Sequence, residues 1–106
     1  MKIVIAGAGE VGSHLAKMLT QDHHEVTVID TDEERIGKLS SDADIITVEG
    51  NPTSISVLRE AGVSKADLYI GVVPSQDQEV NIVSAILAKK LGAKKVTARI
   101  KNEEYH

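Results

Sequence analysis

Apolar residues along this chain fall into short runs separated by stretches with helical spacing, and the two patterns alternate from end to end. Ile3-Val4-Ile5-Ala6 dominates a first strand from about Lys2 to Ala6, and Val11, Leu15, Met18 and Leu19 then recur at the helical interval from about Glu10 to Leu19. A second strand, Glu25 to Ile29, precedes a short helix from about Glu33 to Leu39, for which Asp32 is a suitable N-cap. Ala43 to Val48 reads as a third strand and Ser54 to Ala61 as a helix ended by Gly62. Ala66 to Val73 reads as a fourth strand that stops at Pro74, because proline breaks a central ladder. Asp77 to Leu91 gives a longer helix with Val80, Val83, Leu87 and Leu91 on one face, Ile82 and Ile86 beside them, and Gly92 as C-cap. Lys95 to Ile100 completes a fifth strand, and Lys101 to His106 reads as the start of a further helix that does not develop.

Alternating strands and helices at short intervals imply repeated βα units with right-handed crossovers, hence a parallel sheet. The core materials agree: Ile, Val, Leu and Ala abound, with two tyrosines and neither Trp nor Phe, which suits strands covered on both faces. The expected fold is α/β, a Rossmann-like doubly wound parallel sheet of five strands in the order 3-2-1-4-5, truncated before a sixth strand. The 106 residues are expected to form a single domain, with no internal repeat or linker.

The chemistry lies at the end of the first strand, where Gly7-Ala8-Gly9-Glu10-Val11-Gly12 forms a Gly-x-Gly-x-x-Gly loop. Gly7 permits a tight turn, Gly9 lets the backbone approach a pyrophosphate, and Gly12 allows close helix-to-strand packing. Phosphates would sit on the N-terminus of the next helix, where free N–H groups and roughly half a positive charge from the helix dipole favour an anion. Asp30 ends the second apolar run about 20 residues beyond the loop, where a carboxylate accepts both hydroxyls of a ribose and repels a 2′-phosphate. In such a fold the loops after the strands form one rim. Asp30, Thr31 and Arg35, then Gly50 and Asn51, then Val73 are therefore expected to converge on the crevice of the glycine loop. Arg35 could stack on adenine or pair with Asp32, three residues away. Gly50-Asn51 could meet an adenine edge, or simply form the turn before Pro52-Thr53-Ser54.

Composition narrows the classes further. The chain has no cysteine, which removes disulfides, thiolate metal sites and cysteine nucleophiles and fits an intracellular setting. A net charge of −4 argues against general nucleic-acid binding. Lys89, Lys90, Lys94 and Lys95 read as a helix C-terminus complementing its dipole, followed by a solvated strand start, rather than as a phosphate or lipid patch. No apolar run is long enough to span a bilayer, and no secretory signal precedes the glycine loop. There is no nucleophile elbow, and His14, His23 and His24 lack the spacing of a metal site or triad. No enzymatic centre is expected.

The residues resemble the nucleotide-binding half of the RCK or KTN (TrkA-N) domain that regulates Trk and Ktr potassium transporters. The match includes the glycine loop with Leu15 and Ala16, then Val28-Ile29-Asp30-Thr31-Asp32 with Arg35, Gly50-Asn51-Pro52-Thr53, and Leu58-Arg59-Glu60-Ala61-Gly62. It continues through Ala66-Asp67, the Asp77 to Asn81 helix start and Val96-Thr97-Ala98-Arg99-Ile100. The resemblance implies a cytoplasmic, homo-oligomeric regulator at the inner face of the membrane, the N-terminal part of a longer chain. Its bound nucleotide, NAD(H) first and ATP, ADP or AMP as alternatives, would gate a membrane-embedded potassium transporter or channel subunit. The family's Gly-Asp is replaced by Gly50-Asn51, and Glu10 stands where some members carry arginine, which disfavours a polyphosphate. Arg99 matches a family arginine that could face phosphates or a neighbouring subunit, or form a structural salt bridge. The competing class is the cofactor domain of an NAD-dependent oxidoreductase lacking its catalytic half.

Overall fold

A computed structural model describes residues 1–74 and 78–100, the side chain of residue 78 excepted; the expected helix start at Asp77 and the segment after Ile100 lie outside the described residues. The elements follow as β1 (Lys2–Ala6), α1 (Glu10–Gln21), β2 (Glu25–Asp30), α2 (Glu33–Ser40), β3 (Ile45–Glu49), α3 (Ile55–Glu60), β4 (Leu68–Gly71), α4 (Gln78–Leu91) and β5 (Lys95–Ala98). All four strand pairs are parallel, and the order is β3-β2-β1-β4-β5. The doubly wound sheet read from the alternation of patterns is therefore the one observed.

The pleat of β1 divides the core. Ile3 and Ile5 face α1 and α2 together with Val26, Val28, Ile45, Ala16 and Leu39, while Val4 and Ala6 face the opposite layer with Ile29, Tyr69, Leu58, Val63, Ala85 and Ala88. Each fully buried aliphatic side chain contributes about 1.5–3 kcal/mol, so both layers are needed for a chain of this size.

Local polar contacts shorten two strands relative to their apolar runs. Asp42 Oδ1 accepts the Asp44 N–H at 3.0 Å, and the Ile45 N–H donates to the Asp42 carbonyl at 3.1 Å, so the third strand begins at Ile45 rather than Ala43. A single 3-10 turn at Val63–Lys65 precedes β4, entered through Gly62 at φ 84°. At its far end β4 stops at Gly71, and the Val73 N–H is taken by the Asn81 side chain at 2.7 Å.

That same asparagine rotates α4 relative to the hydrophobic reading. The face on the sheet is Asn81, Ser84, Ala85 and Ala88, whereas Val83 and Ile86 are 45% and 52% exposed and Ile82 is also exposed. Small residues let the helix approach β4 closely: a Cβ on Gly71 would lie 3.1 Å from the Asn81 carbonyl oxygen. Ile82, Val83 and Ile86 are left on the outside, whereas Leu87 and Leu91 of the expected face pack against the core.

Two buried or paired groups make the stability depend on pH. Asp67 accepts the Lys2 N–H at 2.8 Å and pairs with Lys94 at 3.2 Å; the N–H first and the ammonium second hold its carboxyl below the ordinary 3.8. A carboxyl lowered on folding stabilises the fold above its unfolded value and loses that effect as pH falls through the folded one. The Asp67→Asn variant should therefore melt below wild type at neutral pH, with the gap closing as pH drops below 3.8; a gap independent of pH in thermal denaturation would contradict this assignment. Tyr69 is fully buried, and its hydroxyl makes no hydrogen bond among the described residues. Burial pushes it up to about 12, with the nearby Ser84 hydroxyl opposing weakly. An unpartnered buried hydroxyl costs about 1–3 kcal/mol. Tyr69→Phe should accordingly leave stability at neutral pH unchanged or raised in urea denaturation. Wild type should lose stability relative to this variant as pH rises from 10 towards 12, because only the unfolded tyrosine ionises there.

Candidate nucleotide-binding site

The rim at the C-terminal ends of β1, β2 and β4 is organised by the glycine loop. Gly7 has φ 119°, and a Cβ there would lie 2.6 Å from the Val72 carbonyl oxygen. Its N–H donates to the Ile29 carbonyl at 2.8 Å, which continues the β1–β2 ladder into the turn. Gly12 tolerates nothing larger, since a Cβ would lie 1.7 Å from the Gly7 oxygen. Gly9 is the N-cap of α1 and supplies no side-chain cap, so the first N–H groups of the helix are left facing the rim. A Cβ on Gly9 would strike the Pro74 ring at 2.8 Å. Its small size thus serves contact with the β4–α4 segment, beside any approach to a ligand.

Asp30 is 6% exposed, and both carboxylate oxygens are engaged. Oδ2 accepts the Ala8 N–H at 2.7 Å and Oδ1 accepts the Asp32 N–H at 2.7 Å. The carboxylate therefore ties the glycine loop to the β2–α2 turn, a role that spacing alone did not reveal. Each oxygen keeps acceptor capacity for a hydroxyl. Asp32 caps α2 as expected, accepting from Glu34 at 2.9 Å and Arg35 at 3.3 Å. Arg35 pairs with Asp32 as one reading had it, and also with Asp30; both separations are 3.8 Å, and the guanidinium stays exposed.

A cleft of about 390 Å³ opens between these groups and the β4 side of the rim, lined by Asp30, Thr31, Arg35, Asn51, Pro52, Val73, Pro74 and Val80. A smaller recess of about 210 Å³ lies across the glycine loop between Gly9, Glu10, Val11, Val72, Pro74 and Arg99. The residues singled out from the sequence are thus brought to one rim, with Gly7 and Gly12 buried beneath it and Gly50 behind. The Gly50 N–H donates to the Asp30 carbonyl at 2.9 Å, and a Cβ there would meet Val57 at 2.6 Å. Asn51 forms the turn: its Oδ1 accepts both the N–H and the hydroxyl of Thr53 at 2.8 Å, leaving the amide nitrogen as the group available to a ligand. Arg99 is exposed and makes no ion pair among the described residues.

The residue missed by pattern reading is Asn81. It is 1% exposed; its Oδ1 accepts the Val73 N–H at 2.7 Å, while Nδ2 donates to the Val73 carbonyl at 3.2 Å and the Arg99 carbonyl at 3.1 Å. One side chain therefore pins both strand ends that flank the smaller recess. A polar residue within the i, i+3, i+4 series Asn81, Ser84, Ala85 was the available signal. On the opposite rim His23 adopts φ 66° and His24 Nδ1 lies 3.0 Å from the terminal amine. Among the described residues no cluster of His, Cys, Asp or Glu could hold a metal, and no helix is long and apolar enough to cross a membrane.

A parallel sheet in this order, with a glycine turn beneath an uncapped helix and an acid at the end of the second strand, defines a Rossmann-type nucleotide-binding domain. Within that class the chain belongs to the TrkA-N domain family, whose match covers residues 3–106. It is 46% identical over 105 residues to the Trk system potassium uptake protein TrkA homolog of Archaeoglobus fulgidus, covering 99% of this chain and 23% of that protein. It is 34% identical over 105 residues to the homolog of Methanothermobacter thermautotrophicus, again over 99% of this chain and 48% of the relative. The chain thus spans between about a quarter and a half of these relatives. The GsuK channel bound to NAD superposes with TM-score 0.73 at 20% identity over 90% of this chain and 17% of that one. The Kef CTD of Shewanella denitrificans in its AMP-bound form gives 0.75 at 18% over 91% and 57%. At these identities the structural likeness is one of fold.

Because Asp30 holds two backbone amides, Asp30→Ala should lower stability by about 1–3 kcal/mol even without ligand. Urea denaturation of the ligand-free protein checks this; unchanged stability would remove the tie between Asp30 and the loop.

Proposed function

We propose that the chain is the nucleotide-binding regulatory domain of a potassium-uptake system. NAD(H), or else ATP, ADP or AMP, occupies the rim, and occupancy is passed by conformational change to a membrane-embedded transporter or channel subunit. The observation that carries this reading is the uncapped N-terminus of α1, framed by Gly7, Gly9 and Gly12 beside the buried carboxylate of Asp30. Free N–H groups and the helix dipole there suit a phosphate or pyrophosphate. Asp30 accepts ribose hydroxyls with its remaining lone pairs, Thr31, Arg35 and Asn51 flank the base, and Val73 and Arg99 close the β4–β5 side. The names of the relatives and the ligands named for the two channel and Kef domains support the same assignment.

The domain works as a sensor rather than an enzyme, placed at the cytoplasmic face through its partner and assembled as a homo-oligomer. Family membership favours this over an oxidoreductase's cofactor domain, since the fold alone serves both. Glu10, exposed at the start of α1, discriminates among nucleotides by repelling added negative charge. Calorimetric titration with NAD, NADH, ATP, ADP and AMP tests the reading. At least one is expected to bind at millimolar concentration or tighter, and Glu10→Gln should raise ATP affinity about three- to tenfold while changing NAD affinity less. No binding by any of the five would overturn the sensor assignment.

A further inference from the structure

We propose that Asn51 sets the base preference of the nucleotide cleft and turns it from adenine towards a 6-oxopurine, guanine or hypoxanthine. The inference rests on the nucleotide reading above and names the base for that same site. Asn51 lies just beyond the end of β3 and lines the cleft of about 390 Å³ together with Asp30, Thr31 and Arg35.

The turn into α3 decides which atom of the Asn51 amide is free. A backbone N–H only donates, so the atom that the Thr53 N–H meets at 2.8 Å is the amide oxygen, and the Thr53 hydroxyl donates to it as well, also at 2.8 Å. Both lone pairs of Oδ1 are then occupied. Nδ2 has no hydrogen-bond partner among the described residues, and the residue is exposed. Asn51 therefore offers the cleft two donors and no acceptor.

The edges of the bases respond differently to such a group. Adenine presents N7 as an acceptor beside the N6 amino donor, and an asparagine reads it with both amide atoms, oxygen to N6 and nitrogen to N7. With Oδ1 held in the turn that pairing is closed, and Nδ2 against N6 sets donor against donor. A 6-oxopurine presents two acceptors, O6 and N7, to the same group. The other side chains of the cleft do not replace the missing acceptor. Arg35, ion-paired with Asp30 and Asp32 at 3.8 Å, carries donors only. Asp30 holds two backbone amides at 2.7 Å and turns its remaining capacity to the ribose. The Thr31 hydroxyl donates or accepts and so serves either base, and the remaining lining side chains are those of proline and valine. An aspartate in place of Asn51 would make the same turn with one oxygen and keep the other as an acceptor, which restores the match to N6.

Calorimetry with ADP, IDP and GDP on wild type and Asn51→Asp tests this. Sugar and phosphates are common to all three, so the ratio of affinities reads the base alone. Wild type should bind IDP and GDP about tenfold more tightly than ADP, and Asn51→Asp should move the IDP-to-ADP ratio about tenfold or more towards ADP. The added charge of the aspartate weakens all three diphosphates together and cancels in that ratio. The proposal is overturned if wild type binds ADP as tightly as IDP, which needs no variant to fold, or if Asn51→Asp leaves the ratio unmoved. Binding of ADP in either case keeps the nucleotide reading intact, whereas the failure of all three to bind at millimolar concentration removes both.

Discussion

The rim depends on one buried charge, the Asp30 carboxylate. It sits at the end of β2 and accepts one backbone N–H from the glycine loop and another from the turn into α2, each at 2.7 Å. Charge-assisted hydrogen bonds of this length are worth about 1.5–3 kcal/mol, and leaving either amide buried without its acceptor costs a similar amount. Because the Gly50 N–H also donates to the Asp30 carbonyl, the loops after β1, β2 and β3 all meet at this residue. An acid at this position is therefore built into the backbone before any ligand arrives.

Asn81 does the corresponding work on the other half of the rim. A neutral amide can both accept and donate, which is what Val73 and Arg99 together require: one free N–H and two free carbonyls. A carboxylate could not donate and an aliphatic residue could do neither. Satisfying this set fixes the rotation of α4 about its axis, and the remaining sheet-facing positions then have to be small because the helix lies close to Gly71. The exposed Ile82, Val83 and Ile86 follow from that choice rather than from any weakness in the hydrophobic effect.

Most of the fold was legible because it rests on repetition. The alternation of apolar runs with helical spacing located each strand and α-helix among the described residues, and the Asp32 cap and the Gly92 helix end, at φ 125°, were readable from residue type. The loop geometry was legible too, since few residues other than glycine tolerate φ 119° at position 7, and any Cβ at position 12 would overlap the Gly7 carbonyl oxygen. What could not be read depends on single polar contacts across the chain. The orientation of α4 was read only in part: Leu87 and Leu91 do pack on the core, but a count of apolar residues weighs Val83 and Ile86 above Asn81, whereas three part-buried hydrogen bonds from Asn81 to backbone groups weigh the other way. Likewise Asp30 was recognised as an acid in the right place, but one of its two backbone partners, Ala8, lies 22 residues away in the glycine loop.

The two clamps give the rim a mechanical asymmetry. Asp30 binds the β1, β2 and β3 ends to one another, and Asn81 binds the β4 and β5 ends; between the halves β1 pairs with β4, and Gly7 and Gly9 lie close against Val72 and Pro74. The cleft that contains Asp30, Thr31, Val73 and Pro74 takes lining residues from both halves. A ligand spanning it would contact both clamped units at once and resist their relative displacement. Any such displacement would be felt at the Arg99 carbonyl, because that group is held by the same side chain that holds Val73. The end of β5 is thus coupled to the cleft through one buried amide in addition to the sheet ladder, in which the Arg99 N–H donates to the Gly71 carbonyl at 2.8 Å.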